Sequence, residues 1–164
     1  MASVLIIISI ITIVLVFILI HSYQKKYFIP NKLIYAIDQA IPDGGDCHLY
    51  LADVFSNFDW DTVTIFEPPY RKELNERLQI ENREGQDGIV FSLNNHPIYI
   101  HYSSYQYNLH EPATISYTVN FRKTDANNNY VSLSKDFSYV KATKYRYHDV
   151  NGNYSWKYVV FLYD

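Results

Sequence analysis

The chain has 164 residues, a formal net charge of −3 and a high aromatic content of 17%, with 17 Tyr. That length suits one domain plus an appended segment. The near-balanced charge excludes the broad basic field of nucleic-acid binders, so no nucleic-acid partner is expected. A single cysteine, Cys47, allows no internal disulfide and does not report the redox compartment.

From the N-terminus, Val4 to Ile20 is an unbroken run of seventeen residues, polar only at Ser9 and Thr12. At about 1.5 Å per residue a helix of this run covers roughly 25 Å, close to a hydrocarbon core. Tyr23, Tyr27 and Phe28 suit the headgroup belt. No basic n-region or small-residue cleavage site accompanies the run. The expectation is a retained single-pass transmembrane helix over residues 1–23, with residues 4–20 in contact with the lipid bilayer. Lys25, Lys26 and Lys32 follow the run, and the positive-inside rule then places the rest of the chain in the cytoplasm. The Tyr- and Asn-rich remainder argues for an extracytoplasmic domain, which is the side favoured.

Residues 24–46 are expected to form a juxtamembrane helix and linker. Leu33, Ile34, Ile37 and Ile41 make an apolar stripe at helical spacing, and Pro42-Asp43-Gly44-Gly45-Asp46 stops it. Asp43, Asp46, Cys47 and His48 crowd one turn, but no second patterned set of ligands answers them, so no metal is expected there. The globular domain is then residues 47–164. Leu49, Leu51 and Val54 lead into it as helix or strand.

Its organising stretch is Phe55 to Tyr70. Thr62-Val63-Thr64-Ile65-Phe66 favours a pleated, half-buried surface, with Val63 and Ile65 on one face and Thr62, Thr64 and Phe66 on the other. Pro68 and Pro69 end the strand near Glu67. Arg71 to Ile80 reads as a short helix, with Leu74 and Leu78 spaced i,i+4 and Glu73–Arg77 a favourable pair. Asp59 and Asp61 flank Trp60. Two carboxylates this close suit acid/base chemistry if burial splits their pKa values; the plainer reading makes them caps of the loop entering the strand. The pattern Phe58-x-Trp60-Asp61, Ile65-Phe66, Pro69-Tyr70 resembles small, functionally uncharacterised bacterial membrane-anchored proteins or lipoproteins, over Leu49 to Phe91. The resemblance implies an anchored envelope domain and carries no catalytic residue. The lipoproteins of that kind begin at a lipidated cysteine, whereas Cys47 lies far from the N-terminus.

Asp87-Gly88 marks a turn, and Ile89–Leu93 with Ile98–Tyr102 reads as a hairpin about Asn94-Asn95-His96-Pro97. His96, His101 and His110 fall close together, but their spacing matches no helical metal motif, and ordinary surface histidines are the plainer reading. Ile115 to Phe121 alternates, with Ile115, Tyr117, Val119 and Phe121 inward. Asp125 to Asn129 opens like a calcium loop, yet Tyr130 stands where glycine is required, and a polar hairpin loop fits better. Phe137–His148 and Tyr154–Tyr163 flank Asn151-Gly152, the strongest two-residue hairpin signal. A turn centred there sets Tyr147 opposite Trp156, Tyr145 opposite Tyr158 and Thr143 opposite Val160. It also sets Arg146 against Lys157, with Lys144 nearby.

The fold class expected is α+β: an N-terminal transmembrane helix followed by a mainly antiparallel sheet of about five to seven strands with one or two packed helices. A β-sandwich with the helix at one end is the second choice. The function expected is a non-enzymatic envelope interaction module. Its candidate binding surface is Lys144, Arg146 and Lys157, and its partner a protein or an anionic polymer. Two other readings stay open: a membrane-anchored hydrolase using Asp59 and Asp61 or the His96/His101/His110 cluster, and an immunity or inhibitor protein. No cofactor is expected.

Overall fold

A computed structural model of the chain describes residues 2–68, 72–78, 86–103, 113–120, 129–148, 152 and 154–163. Helix α1 runs from Ala2–Ala40 without a break. Its C-terminal half has apolar residues at i,i+4,i+8, and Ile29, Leu33 and Ile37 are buried along that face. Pro30 sits inside the helix beside them, at the cost of one backbone donor. Strand β1 (Gly45–Tyr50) and the single turn α2 (Leu51–Val54) follow. Then come β2 (Thr62–Phe66), α3 (Lys72–Leu78), β3 (Gly88–Leu93), β4 (His96–Tyr102), β5 (Ala113–Asn120) and β6 (Tyr130–Ser134). A 3₁₀ turn at Lys135–Phe137 precedes β7 (Tyr139–His148) and β8 (Tyr154–Tyr163).

The strands form two four-stranded sheets. The first has the order β1-β7-β8-β5 and the second β4-β3-β2-β6. All pairings are antiparallel except β5–β8, which is parallel. The inner faces of both sheets share one core with α1. Val63, Ile65, Ile89 and Phe91 come from the second sheet; Ile115, Tyr117, Val140, Val160 and Leu162 from the first; Ile29, Leu33 and Ile37 from the helix. A smaller cluster lies on the far side of the second sheet, where Leu74 and Leu78 of α3 cover Phe66 and Val90. The alternation of β2 decides this division: Val63 and Ile65 go to the main core and Phe66 to the helix side, as period-two geometry requires.

The expected fold class needs correction on two counts. First, the transmembrane helix is not supported: among the described residues no helix is long and apolar enough to cross a membrane. The apolar face of α1 at Ile29, Leu33 and Ile37 belongs to the protein's own core. The single-pass, membrane and extracytoplasmic assignments lose the span on which they rested. Second, the strands do not form one sheet with helices laid on it. The two four-stranded sheets bury their inner faces together around α1, and only the far side of the second sheet carries a helix, α3, giving a mostly β architecture. Large described side chains at the other end of α1, among them Ile13 and Phe17, stand clear of that core.

The β3–β4 connection is a two-residue turn at Asn94-Asn95, both with positive φ (52° and 65°), the mirror-image turn that matches strand twist. The β7–β8 connection differs from expectation by one residue. Arg146 pairs with Trp156, Tyr145 with Lys157, Lys144 with Tyr158 and Ala142 with Val160. His148 pairs with Tyr154, one residue off the register that a turn centred on Asn151-Gly152 sets. Because side chains alternate, this slip moves each expected partner to the opposite face.

Candidate functional site

The carboxylates and histidines singled out in the sequence do not converge. Asp59 is exposed. Asp61 accepts the backbone N–H of Asn94 at 2.6 Å, which ties the loop before β2 to the tip of the β3–β4 hairpin. His96 opens β4 and is exposed, whereas His101 lies five residues along the same strand, roughly 17 Å away. Asp61 is therefore at one end of the hairpin and His101 at the other. His110 and Asp125 to Asn128 lie outside the described residues. Tyr130, at the glycine place of the calcium-like pattern, begins β6. Among the described residues no group of three His, Cys, Asp or Glu side chains is placed to hold a metal ion.

In the Asp43–His48 turn, Asp46 is engaged otherwise. It pairs with Lys141 at 2.5 Å and accepts Thr143 Oγ1 at 2.7 Å. Those two partners hold its carboxyl below the usual carboxylate range. Cys47 points to the inner face, and burial pushes its thiol up.

The three basic residues offered as a binding surface are divided between the two faces of the β7–β8 hairpin by the register. Lys144 is buried on the inner face, where Nζ donates to the carbonyl of Pro42 at 2.6 Å and pairs with Asp38 of α1 at 2.7 Å. It also lies 4.4 Å from the centroid of Trp156. Tyr158 Oη donates to the same Asp38 oxygen at 2.9 Å. Burial and Asp38 push that phenol well above its ordinary pKa, so it remains a donor. Arg146 lies 5.1 Å from the Trp156 centroid, so that ring meets two cations. Lys144 thus fastens α1 to the sheet, and Lys157 projects on the other side.

A polar node that the sequence did not announce joins the two sheets. Asp87, next to β3, accepts Ser103 Oγ and, at 2.5 Å, the backbone N–H of Tyr117 on β5. Tyr117 Oη is 2.8 Å from His101 Nδ1. Asp87, Ser103 and Tyr117 are almost fully buried, so this node is structural. Burial pushes the Asp87 carboxyl up, against the opposing pull of the Ser103 and Tyr117 donors. A raised folded-state pKa means that the fold holds this proton more tightly than the unfolded chain does. Its stabilising share is full below the unfolded value of about 3.9 and fades as pH rises through the folded value. Urea unfolding of wild type and Asp87→Asn across pH 4 to 7 is expected to show wild type losing ground to the variant as pH rises. Parallel curves, or a wild type that gains, contradict this.

The outer face of the first sheet has no covering layer among the described residues. Among the described residues, both hydrophobic clusters draw only inner-face residues from this sheet. The outer face carries Tyr139, Lys141, Tyr145 and Tyr147 on β7, and Lys157 and Phe161 on β8. Tyr139, the first residue of β7, is 58% exposed, and Tyr145, within β7 between two paired strands, is 43% exposed. Tyr139 stacks on Tyr50 of β1 with centroids 4.5 Å apart and planes 17° from parallel. Lys157 Nζ lies 3.7 Å from the centroid of Tyr147. Strands β7 and β8 together hold four cations, Lys141, Lys144, Arg146 and Lys157, and no Asp or Glu, in a chain whose net charge is negative. Chemically this face offers rings, hydroxyls and ammonium groups, and no nucleophile paired with a base. No protein-family model, no curated protein and no solved structure matches this chain.

Proposed function

We propose that this protein is a non-enzymatic interaction module whose contact surface is the outer face of the β1-β7-β8-β5 sheet. The observation that carries the reading is the pair Tyr139, at the start of β7, and Tyr145, within it: large exposed rings on a sheet face that, among the described residues, has no second layer over it. Tyrosine suits such a role because it offers a rigid ring at low entropic cost and a hydroxyl that tolerates water. The inner face is fully used in the core, so the outer face is the side left for a partner. The dispersal of Asp59, Asp61, His96 and His101 supports binding over acid/base chemistry, which requires groups within hydrogen-bond reach of one substrate.

Retention of a component from extracts of the native source tests this. The immobilised wild-type chain is expected to retain a component that a Tyr139→Ser/Tyr145→Ser double variant does not, while circular dichroism and melting temperature of the two chains agree. Equal retention by both chains removes the face from consideration.

A further inference from the structure

We infer that the partner of this face is a protein with a basic segment, which enters where β1 ends and β7 begins and lays an arginine guanidinium against the exposed rings of Tyr50 and Tyr139, beside the carboxylates of Asp53 and Asp136. The inference rests on the reading of the outer face as the contact surface and names the chemistry of what that face holds. Register builds the platform. Tyr50 closes β1, Tyr139 opens β7, and the two are partners in the pairing of those strands, with rings 4.5 Å apart and 17° from parallel. Each ring has an aspartate three residues away in a turn: Asp53 in α2 after Tyr50, and Asp136 in the 3₁₀ turn before Tyr139. The Leu51 N–H donates to the Ser138 carbonyl at 3.0 Å, which holds those two turns side by side. Desolvation, Tyr139 and then the charges of Asp136 and Asp53 push the Tyr50 phenol above its ordinary value, so both carboxylates act on one hydroxyl. Both are exposed, and neither has an ion pair or hydrogen bond among the described residues. The lysines on either side of Tyr139 are engaged elsewhere. Lys141 pairs with Asp46 at 2.5 Å, and Lys135 Nζ lies 5.4 Å from the Trp60 centroid. Lys157 belongs to the far end of the face, opposite Tyr145, roughly 20 Å along β7 from Tyr139. Exposed rings beside uncompensated carboxylates attract a cation, and the net charge of −3 favours its approach. Guanidinium fits better than ammonium because it is planar: it stacks on a tyrosine while its edge still donates to a carboxylate. Phe137, 72% exposed next to Asp136, adds apolar contact of the kind that accompanies Tyr and Arg at protein interfaces.

The test titrates the full chain with tetra-arginine, tetra-lysine and tetra-citrulline peptides, blocked at both ends, and follows the tyrosine ring signals by NMR. Tetra-arginine is expected to bind and to shift the Tyr50 and Tyr139 signals. Tetra-citrulline, which has the same shape without the charge, is expected not to bind, and tetra-lysine to bind about threefold more weakly or less. The Asp53→Asn/Asp136→Asn double variant is expected to weaken tetra-arginine about threefold to tenfold, at an unchanged melting temperature because both side chains are exposed. Tyr139→Leu is expected to weaken it about twofold to fivefold, and Tyr139→Phe to leave it as it is, since the contact is with the ring and not the hydroxyl. Tetra-lysine binding that is as tight and does not respond to Tyr139→Leu overturns the inference, as do full binding by the Asp double variant and failure of tetra-arginine to bind. Retention from extract separates the two levels. A component lost with Tyr139→Ser/Tyr145→Ser but held by Asp53→Asn/Asp136→Asn keeps the contact face and discards the basic partner, whereas equal retention by all chains discards both.

Discussion

Phe55→Ala is expected to cost about 3–5 kcal/mol of unfolding free energy, the range for a fully buried aromatic truncated to alanine. In a chain of this size that lowers the melting temperature by about 10 °C, out of a total stability of roughly 5–15 kcal/mol. The ring has no solvent exposure. It contacts Phe91 at 4.5 Å, Phe58 at 6.0 Å and Phe28 at 6.2 Å between centroids. Its carbonyl accepts Trp60 Nε1 at 3.1 Å. Phe28 belongs to α1, Phe91 to β3, and Phe55 to the loop after α2, so one ring spans three separate elements of the core. Trp60 and Phe91 meet edge to face at 4.9 Å, which extends the same cluster. Phe58→Ala is the internal comparison: that ring meets Phe28, Phe55, Phe91 and Tyr99 but is only partly buried, so its removal is expected to cost about half as much. Denaturant unfolding with both variants measures the difference. A Phe55→Ala cost under about 1 kcal/mol contradicts the hub assignment.

That hub lies in the stretch the sequence marks as central, and the reason is physical. Local signals are strong there: β-branched alternation at Thr62–Phe66, then two prolines, then Leu74 and Leu78 at helical spacing, and the strand and helix form where those signals stand. The β3–β4 hairpin is equally local, since Asn94 and Asn95 supply the positive φ of its turn. Non-local pairing is another matter. Nothing in β5 specifies that it lies parallel to β8 rather than beside β4, and β1 carries no clear strand signal: its first residues, Gly45 and Asp46, read as the end of a linker and Leu49 as helix or strand. Strand β1 exists because β7 provides a partner for it almost a hundred residues later. The division into two sheets follows from such pairings, and so does the placement of Ile29, Leu33 and Ile37 in the core rather than in a linker to an anchor.

The candidate surface shows how one residue of register redistributes charge between the faces of a hairpin. The hairpin signal at Asn151-Gly152 is correct in kind and wrong by one position. With the expected register, Lys144, Arg146 and Lys157 stand on one basic face; with the observed one, Lys144 turns inward and Lys157 outward. Tyrosine-rich strands were legible from composition, as was their amphipathic character. Which tyrosines remain uncovered was not, because that depends on α1 and the second sheet both taking the inner side. The Asp87–Ser103–Tyr117–His101 node carried no signal beyond an Asp-Gly turn, since its members come together only through the contact between sheets.

Lys144→Ala is expected to destabilise the fold by about 3 kcal/mol, the lower part of the range for breaking a buried charge pair by deleting one partner. The lower part applies because Asp38 is 39% exposed and rehydrates in part, while the Pro42 carbonyl loses its 2.6 Å donor. Lys144→Met keeps most of the aliphatic packing against Trp156 and is expected to cost about half as much. Asp38→Asn combined with either variant is expected to be non-additive by about 1–2 kcal/mol, because both side chains belong to one contact. The site of the loss is specific. Lys144 joins β7 to Asp38 near the end of α1 and to the turn that follows it, so amide hydrogen exchange at residues 38–41 is expected to accelerate more than exchange in β2 or β3. If Lys144→Ala lies within about 0.5 kcal/mol of wild type, or its effect adds to that of Asp38→Asn, the helix is held by Ile29, Leu33 and Ile37 alone, and the buried lysine is only filling space.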